Sequence, residues 1–400
     1  MCEMRDSGFR YLGAIPSTWP TRRLKHFFVV SRVTGRADAT VLSLYRDHGI
    51  VPKDSRDDNH NVTSLDISKY KYVEVGDFVI NKMKGWQGSM ALSGYEGIVS
   101  PAYHVFKITA SNLVPSYAHY LLRCQSYADE WRRLSTGLRI GQWDLHVEDF
   151  LNASIPVPPI DEQQRIADYL DDKCAEIDRA IEAAEKSTEE LVGYRSSYLE
   201  ETFNRLGNTY PKVKLKYVLK ESKEKSTNGV GEPLSITIAS GVLRSSELKV
   251  PNPASSMVGA KVVHAGDLVF NKLKAYFGVM YVSPYDGLIS AEYAIYRALS
   301  PGDVSLKYIE YLVHTNRIID EFIIRISGVA DGFRRLYTSE LFNIAITLPP
   351  LLVQEKAVRE LNTIYDSIDT SIAAKRAIIA DLKAYKQSLI YEVVTGKREV

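Results

Sequence analysis

Apolar residues recur at alternating steps of three and four over two long stretches, 160–203 and 351–394, and each stretch follows a proline pair. This spacing is typical of a long helix with one narrow apolar stripe, here called the seam. Two long helices with matching seams predict mutual packing. The alternative, two unrelated amphipathic surface helices, would not explain the nearly constant offset between them. The seam positions are Ala167, Leu170, Cys174, Ile177, Ile181, Ala184, Thr188, Leu191, Arg195, Tyr198 and Thr202 in the first stretch, and Val358, Leu361, Tyr365, Ile368, Ile372, Lys375, Ile379, Leu382, Lys386, Leu389 and Val393 in the second.

The sequence that precedes each helix is also repeated. Residues 75–84 match 265–274, and residues 95–100 match 285–290. Over some 180 residues the offset between the copies drifts by only two residues, from 190 to 192. A drift this small indicates a duplicated domain rather than a short recurring motif.

Each copy predicts a mixed α/β domain. Gly76-Asp77 and its repeat precede alternating, β-branched runs that are typical of strands. The remaining expectations are hairpin turns at 95–97 and 285–287, helices at 115–134 and 305–326, and loops at 135–143 and 326–335.

Chain geometry predicts how the two long helices pair. A helix of some 44 residues is about 66 Å long, whereas the roughly ten linking residues near 207–214 span at most about 35 Å. A parallel pair would require this linker to return along the whole helix. We therefore expect an antiparallel coiled coil that separates two similar α/β domains with pseudo-twofold symmetry.

Length and composition limit the class of protein. A chain of 400 residues exceeds what one hydrophobic core usually serves, so two or three domains are expected. No apolar run approaches the roughly 20 residues of a membrane span, and the first residues do not resemble a secretory signal. Cys2, Cys124 and Cys174 are far apart and lack metal-ligand spacing. We expect a cytoplasmic protein without a metal site.

Charge is distributed unevenly although the net charge is only +1. Residues 160–204 hold five Lys/Arg and thirteen Asp/Glu, a balance of −8, and residues 351–400 have a balance of +1. The remainder of the chain therefore carries +8. A polyanion should bind the globular parts, and duplex DNA fits two basic domains held tens of ångströms apart.

Several motifs, in this order and spacing, resemble the specificity subunit of type I restriction–modification enzymes over nearly the whole chain. The second helical entry departs from the pattern, because Val353 stands where an acid would precede Gln354. The motifs are Asp6-Ser7-Gly8, Gly13-Ala14-Ile15-Pro16 and Trp19 near the start, Gly-Asp followed by Asn-Lys-x-Lys in each half, the run 155–167, and Val394-Thr395-Gly396-Lys397.

The resemblance implies two target-recognition domains, 1–158 and 207–349, and two helical spacers, 159–206 and 350–400. It also implies a bipartite double-stranded DNA target with one half-site per domain. The implied partners are two modification subunits, which use S-adenosylmethionine to methylate adenine, and restriction subunits that hydrolyse ATP with Mg²⁺. Part of the acidic face of the first helix is then a candidate docking surface for the modification subunits.

Four lysines are candidate DNA contacts. Lys82 and Lys84, with Lys272 and Lys274, are expected to alternate along a strand and share one face. Such a stripe is either a solvated edge or a set of phosphate contacts. Asn81 and Asn271 are expected to be structural.

The other candidates are aromatic residues and loop residues. Trp86 and Tyr276 follow the lysines and are expected in the core, with stacking against DNA as the alternative. The loops differ most between the halves, and Arg and Gln can contact guanine and adenine edges, respectively. The loop candidates are Arg139, Gln142, Trp143, Asp331, Arg334 and Arg335. Tyr103 and Tyr293 repeat unchanged, which favours a structural role.

The chain lacks the sequence motifs that a type I enzyme needs for its chemistry. It has no Asp/Asn-Pro-Pro-Tyr/Phe methyltransferase motif, no glycine-rich cofactor loop after a strand and no Walker A sequence. We therefore expect a non-catalytic DNA-recognition subunit without a cofactor of its own. The alternatives are a coiled-coil adaptor whose domains bind proteins, and a stand-alone nuclease, which would need a carboxylate cluster that the sequence does not show.

Overall fold

A computed structural model describes residues 3–36, 38–46, 48–55, 66–137, 143–248, 257–328 and 334–400. The chain forms two compact units, one of Met1–Glu185 with Arg376–Val400 and one of Lys186–Lys375. The division falls inside both long helices. Each unit therefore contains one α/β region and a stretch of each helix.

The helices alternate with short strands in both units. The helices are Pro115–Arg123, Gln125–Leu134, Val147–Asn152, Ile160–Thr209, Leu306–Val313, Asn316–Arg325, Thr338–Phe342 and Leu351–Val394. The strands before the first long helix are Met4–Asp6, Ala14–Pro16, Thr21–Arg23, Phe28–Ser31, Leu42–Tyr45, Gly49–Pro52, Lys71–Val73, Phe78–Asn81, Met90–Leu92, Gly97–Val99, Tyr103–Ile108 and Ser154–Pro156. Those after it are Lys212–Lys214, Leu219–Glu221, Leu234–Thr237, Gly241–Arg244, Lys261–Val263, Leu268–Phe270, Met280–Val282, Gly287–Ile289, Ala294–Ala298, Ser327–Gly328, Arg334–Arg335 and Ala345–Thr347.

Both units contain the same four-stranded antiparallel sheet. Its strand order is Phe28–Ser31, Tyr103–Ile108, Phe78–Asn81, Met90–Leu92 in the first unit and Leu219–Glu221, Ala294–Ala298, Leu268–Phe270, Met280–Val282 in the second. The register is the same as well: Phe106 lies opposite Val30 and Phe78, and Tyr296 lies opposite Glu221 and Leu268. The duplicated mixed α/β domain predicted from the repeat is confirmed.

The predicted hairpin turn at 95–97 is wrong, and so is its repeat at 285–287. Met90–Leu92 pairs with Phe78–Asn81, whereas Gly97–Val99 pairs with Lys71–Val73, so this turn leads the chain from one sheet into another. A Cβ on Gly97 would lie 2.3 Å from the Thr40 carbonyl oxygen. Glycine is needed here for close backbone approach and not for a tight hairpin.

The helix predicted over 115–134 is divided at Cys124, whose backbone is extended. The break releases the Leu122 carbonyl from the helix, and the indole Nε1 of Trp131 donates to it at 2.8 Å. Trp131 is fully buried as a result. The equivalent helix of the second unit is also divided, between Val313 and Asn316.

The antiparallel pairing of the long helices is confirmed within each unit. Every seam position on both helices is buried or half-buried. Ion pairs lie along the seam and join the two helices. From one pair to the next, the residue number rises on the first helix and falls on the second. The pairs are Asp178–Lys386 at 2.6 Å and Glu185–Lys383 at 3.4 Å in the first unit, and Arg195–Asp369 at 2.8 Å and Arg205–Glu360 at 3.8 Å in the second.

The seams are continuous with the core of each unit. In the first unit, Leu170, Ile177, Leu389 and Val393 belong to the same buried cluster as Trp131. In the second unit, the corresponding cluster holds residues from the end of the first long helix and the start of the second. The last residues of the chain therefore complete the core of the first unit.

A buried glutamine joins each long helix to its α/β region. Gln163 accepts from the Val114 amide at 2.8 Å and donates to the Asn112 and Pro158 carbonyls at 3.1 and 2.8 Å. Gln354 makes the same contacts, accepting from the Ser305 amide at 3.0 Å and donating to Asp303 and Pro349 at 2.9 and 2.8 Å. The missing acid at Val353 does not alter this contact. Its counterpart Glu162 accepts instead from the Trp19 indole, at 3.2 Å.

We expect Gln163→Ala to destabilise the first unit by about 2–4 kcal/mol, because an amide and two carbonyls would be left buried without partners. The measurement is the free energy of unfolding from urea denaturation. The control is Gln164→Ala, since the Gln164 side chain is exposed and donates to the neighbouring Asp168 on the helix surface. An equal effect of the two substitutions would contradict the role of the buried amide.

We expect Leu389→Ala to cost about 2–5 kcal/mol, because Leu389 is 1% exposed and packs in the shared core. Ile378→Ala on the same helix is the control, since Ile378 is 53% exposed. Thermal and urea denaturation measure both. A neutral Leu389→Ala would show that the first unit does not depend on the end of the chain.

Candidate nucleic-acid interface

The predicted lysine strand is wrong, because the strands end before the lysines. Phe78–Asn81 and Leu268–Phe270 are the last strand residues. The Asn81 side chain accepts from the Met83 amide at 3.1 Å, and the Asn271 side chain accepts from the Leu273 and Lys274 amides at 3.1 and 3.2 Å. A side chain that satisfies these amides stabilises a tight turn in place of a strand. The structural role expected for both asparagines is confirmed.

Each lysine turn is bonded to the far end of the following loop. The Lys82 carbonyl accepts from the Leu145 amide at 2.9 Å, and the Lys272 carbonyl accepts from the Leu336 amide at 3.1 Å. Lys84 and Lys274 are exposed, whereas Lys82 and Lys272 are half-buried. The four lysines therefore lie next to the two loops but do not share one strand face.

The ends of both loops are held together by antiparallel pairing. Thr136 pairs with Asp144, and Ser327–Gly328 pairs with Arg334–Arg335. Arg139, Gln142 and Asp331 lie outside the described residues. Arg335 is half-exposed and forms an ion pair with Glu292 at 2.9 Å.

Trp86 is not a core residue, contrary to expectation. The neighbouring Gly85 occupies the interior position, where a Cβ would lie 3.1 Å from Leu145, and Trp86 is half-buried. Its ring contacts Trp143 edge-on at 5.2 Å between centroids, and the Arg132 guanidinium carbon lies 5.9 Å from its centre. The structure thus brings together two aromatic candidates and an arginine that the sequence did not indicate.

Tyr276 is also outside the core, with 41% of its surface exposed. Its ring lies 4.3 Å from that of Phe277, which is 51% exposed. Each unit therefore presents a pair of aromatic rings beside its lysine turn. The sequence signal for Phe277 was its position directly after Tyr276, at a place where the first unit has Gln87.

Tyr103 and Tyr293 have the structural role that their repetition predicted. Each packs against a small buried cluster on the face of the four-stranded sheet that points away from the main core of its unit. Burial raises the pKa of both phenols. The Tyr103 carbonyl, in addition, accepts from the ammonium of Lys71 at 2.5 Å.

His104 is located beside this lysine. Burial, followed by the positive charges of Lys71 and Lys82, lowers the pKa of His104 to about 4. Asp144 acts in the opposite direction with a smaller effect. The imidazole is therefore neutral at pH 7 and adds no charge to the lysines.

Within the described parts of the chain, no three His, Cys, Asp or Glu side chains are grouped closely enough to hold a metal ion. In the same residues, no helix is long and apolar enough to cross a membrane.

Comparison with known proteins confirms the family resemblance. Residues 16–188 match the family of the type I restriction modification DNA specificity domain. A protein named as type I restriction enzyme MjaX specificity subunit, from Methanocaldococcus jannaschii, is 22% identical, with 97% of this chain and 96% of that protein covered. The type I restriction enzyme EcoKI specificity subunit of Escherichia coli is 20% identical over 70% of this chain and 64% of its own length.

Solved structures share the fold. One is a chain from a structural study of complex assembly and conformational transition of the type I R-M system. It superposes with a TM-score of 0.72 at 16% sequence identity, and the alignment covers 96% of this chain and 99% of that chain. The HsdS subunit from Thermoanaerobacter tengcongensis superposes with a TM-score of 0.57 at 18% sequence identity, and the alignment covers 96% of this chain and 98% of that subunit. The architecture of two α/β domains with two long helices is thus common to these proteins.

We expect the stability of the first unit to fall as the pH is lowered from about 6.5 towards 4. The folded-state pKa of His104 is depressed to about 4, so the unfolded chain binds more protons in that window. Urea denaturation between pH 4.5 and 7.5 measures the effect.

His104→Gln should reduce this pH dependence without removing it, because burial also lowers the pKa of His119, to about 3. His26→Gln, at an exposed position, is the control. If His104→Gln left the pH profile unchanged, the depressed pKa would be refuted.

Proposed function

We propose, from the chain's resemblance to type I specificity subunits, that each of its two units binds one half of an asymmetric, bipartite DNA target. The observation that carries this proposal is a conserved framework around divergent loops. Both units have the same sheet, the same asparagine-capped lysine turn and the same bond from that turn to the loop. The loops themselves differ in sequence, so the two half-sites should differ.

The residues of each framework suit different parts of DNA. Lys84 and Lys274 are exposed cations that can contact phosphates and fix the register without selecting a base. The ring pairs Trp86–Trp143 and Tyr276–Phe277 can stack against or wedge beside bases. Specificity would come from the loop residues Arg139, Gln142, Arg334 and Arg335, where each good base contact contributes roughly 1–3 kcal/mol of discrimination.

Arg335 already has a partner within its own unit. Its ion pair with Glu292 at 2.9 Å fixes the guanidinium in one orientation. A held guanidinium loses less conformational freedom when it binds a base. The cost is that Glu292 also competes for the donors of Arg335.

The partners in this proposal are those that the family resemblance implies. Two modification subunits would methylate adenine with S-adenosylmethionine, and restriction subunits would hydrolyse ATP with Mg²⁺. This chain would select the site and hold the assembly, with no catalytic residue of its own. The first long helix, with its −8 balance over residues 160–204, offers an acidic surface for basic partner elements.

Methylome sequencing tests the proposal. The host would carry the cognate modification subunit with and without this chain. We expect methyladenine at a split, asymmetric motif only when the chain is present, because the modification subunit would have no other source of specificity.

Exchange of residues 22–150 for those of another family member should then change one half-site and leave the other unchanged. The matched exchange in the second half should change only the other half-site. No chain-dependent methylation with a demonstrably active modification subunit would contradict the proposal and favour an adaptor that binds proteins.

A further inference from the structure

Two lysines occupy equivalent positions in both units. Lys71 lies opposite Val99 in its ladder, as Lys261 lies opposite Ile289. Lys82 directly follows the strand Phe78–Asn81, and Lys272 follows the equivalent strand Leu268–Phe270. The two ammonium groups are close enough to interact in each unit, because, in addition to burial, the charge of Lys82 lowers the pKa of Lys71 and the charge of Lys261 lowers the pKa of Lys272.

In the second unit, the protein itself supplies counter-ions to this lysine pair. The Glu221 carboxylate lies 3.1 Å from the ammonium of Lys261, whose side chain is only 10% exposed. Glu221 and Glu292 both favour the charged form of Lys272, although burial and Lys261 have the larger, opposing effect and lower its pKa. Charges withdrawn from water are normally paired in this way.

In the first unit, apolar residues replace both acids. Val30 occupies the position of Glu221, since it lies opposite Phe106 as Glu221 lies opposite Tyr296. Ala102 stands 190 residues before Glu292.

Among the described residues, no carboxylate is within ion-pair distance of Lys71 or Lys82. The charge of the Asp144 carboxylate acts on the nearby His104, whose pKa it raises slightly against the larger effect of burial. The ammonium of Lys71 donates one hydrogen bond, to the Tyr103 carbonyl at 2.5 Å.

This arrangement is costly unless an anion binds. Burial, and then the adjacent positive charge of Lys82, lowers the pKa of Lys71, and a bound anion would offset both effects. An ammonium has three donors, and within the described residues one of those on Lys71 is bonded, to the Tyr103 carbonyl. The backbone of Lys82 is bonded to Leu145 at the end of the loop, which places the lysine pair next to the proposed DNA-contacting segment.

We propose that Lys71, beside Lys82, is a phosphate-binding position for the DNA backbone, and that its counterpart Lys261 is not, because Glu221 occupies it. The inference rests on the proposed DNA-binding function and deepens it. The two units would then bind their half-sites with different ionic character, although they share one fold.

The test is the salt dependence of DNA affinity. The full chain, in complex with its modification subunit, would be titrated with duplex DNA carrying the target at several KCl concentrations. Lys71→Gln should reduce the steepness of the fall of log affinity with log salt, making the negative slope smaller in magnitude by about 0.9, the value for one phosphate contact. Lys261→Gln, the matched substitution, should leave the slope unchanged.

Reciprocal substitutions test the role of the acid. Val30→Glu should make the slope smaller in magnitude, as Lys71→Gln does, and Glu221→Gln should make it larger in magnitude by releasing Lys261. Because Val30 is half-buried, the melting temperature of Val30→Glu must be measured, and Glu221→Gln provides the answer if Val30→Glu does not fold.

Two results would overturn the inference: an unchanged slope for folded Lys71→Gln, or an equal loss for Lys261→Gln. The first, if accompanied by stabilisation of the wild-type chain, but not of Lys71→Gln, by inorganic phosphate, would show that the position takes a free anion. A wild-type complex that binds no DNA would instead refute the proposed function, and the two failures are therefore distinguishable.

Discussion

The structure depends on burial of the two helical seams against each other and against the α/β cores. In the first unit, one continuous apolar cluster joins Leu170 and Ile177 of the first long helix, Leu389 and Val393 of the second, and the aromatic core around Trp131. Burial of this kind contributes roughly 25 cal/mol per Å² of apolar surface. Because the two helices run antiparallel, each unit buries the beginning of one helix with the end of the other. The first unit cannot form its complete core until the last residues of the chain are in place.

Polar contacts fix the orientation that the apolar seam alone would leave free. Gln163 and Gln354 each bond one amide and two carbonyls at the junction of helix and α/β region. A slide of the helix would leave these buried groups without partners, at a cost of about 1–3 kcal/mol for each. The ion pairs along the seam are partly exposed to water and contribute less. The glutamines are therefore the stronger constraint on how each helix meets its domain.

Duplication conserved the backbone of the candidate interface and let its charge diverge. The registers around Val30 and Glu221 are identical, yet one position is apolar and the other is an acid paired with Lys261. The aromatic pairs differ in the same way, with Trp143 supplied by a loop end and Phe277 by the turn itself. One fold can thus offer two chemically different surfaces, as an asymmetric target would require.

The sequence by itself determined the long helices, their seams, the antiparallel pairing and the duplicated α/β domain. These features depend on periodicity, on chain length and on self-similarity, all of which are properties of the sequence. Tertiary structure alone decided the lysine turns, because the asparagine caps compete locally with a strand that the pattern favoured equally well. It also decided that Trp86 and Tyr276 lie outside the core, and that the segment after Leu92 enters a second sheet. The pairing of Lys261 with Glu221, like the lack of such a pair in the first unit's described residues, depends on contacts between residues far apart in sequence. No local pattern encodes such contacts, because only the folded register brings those side chains together.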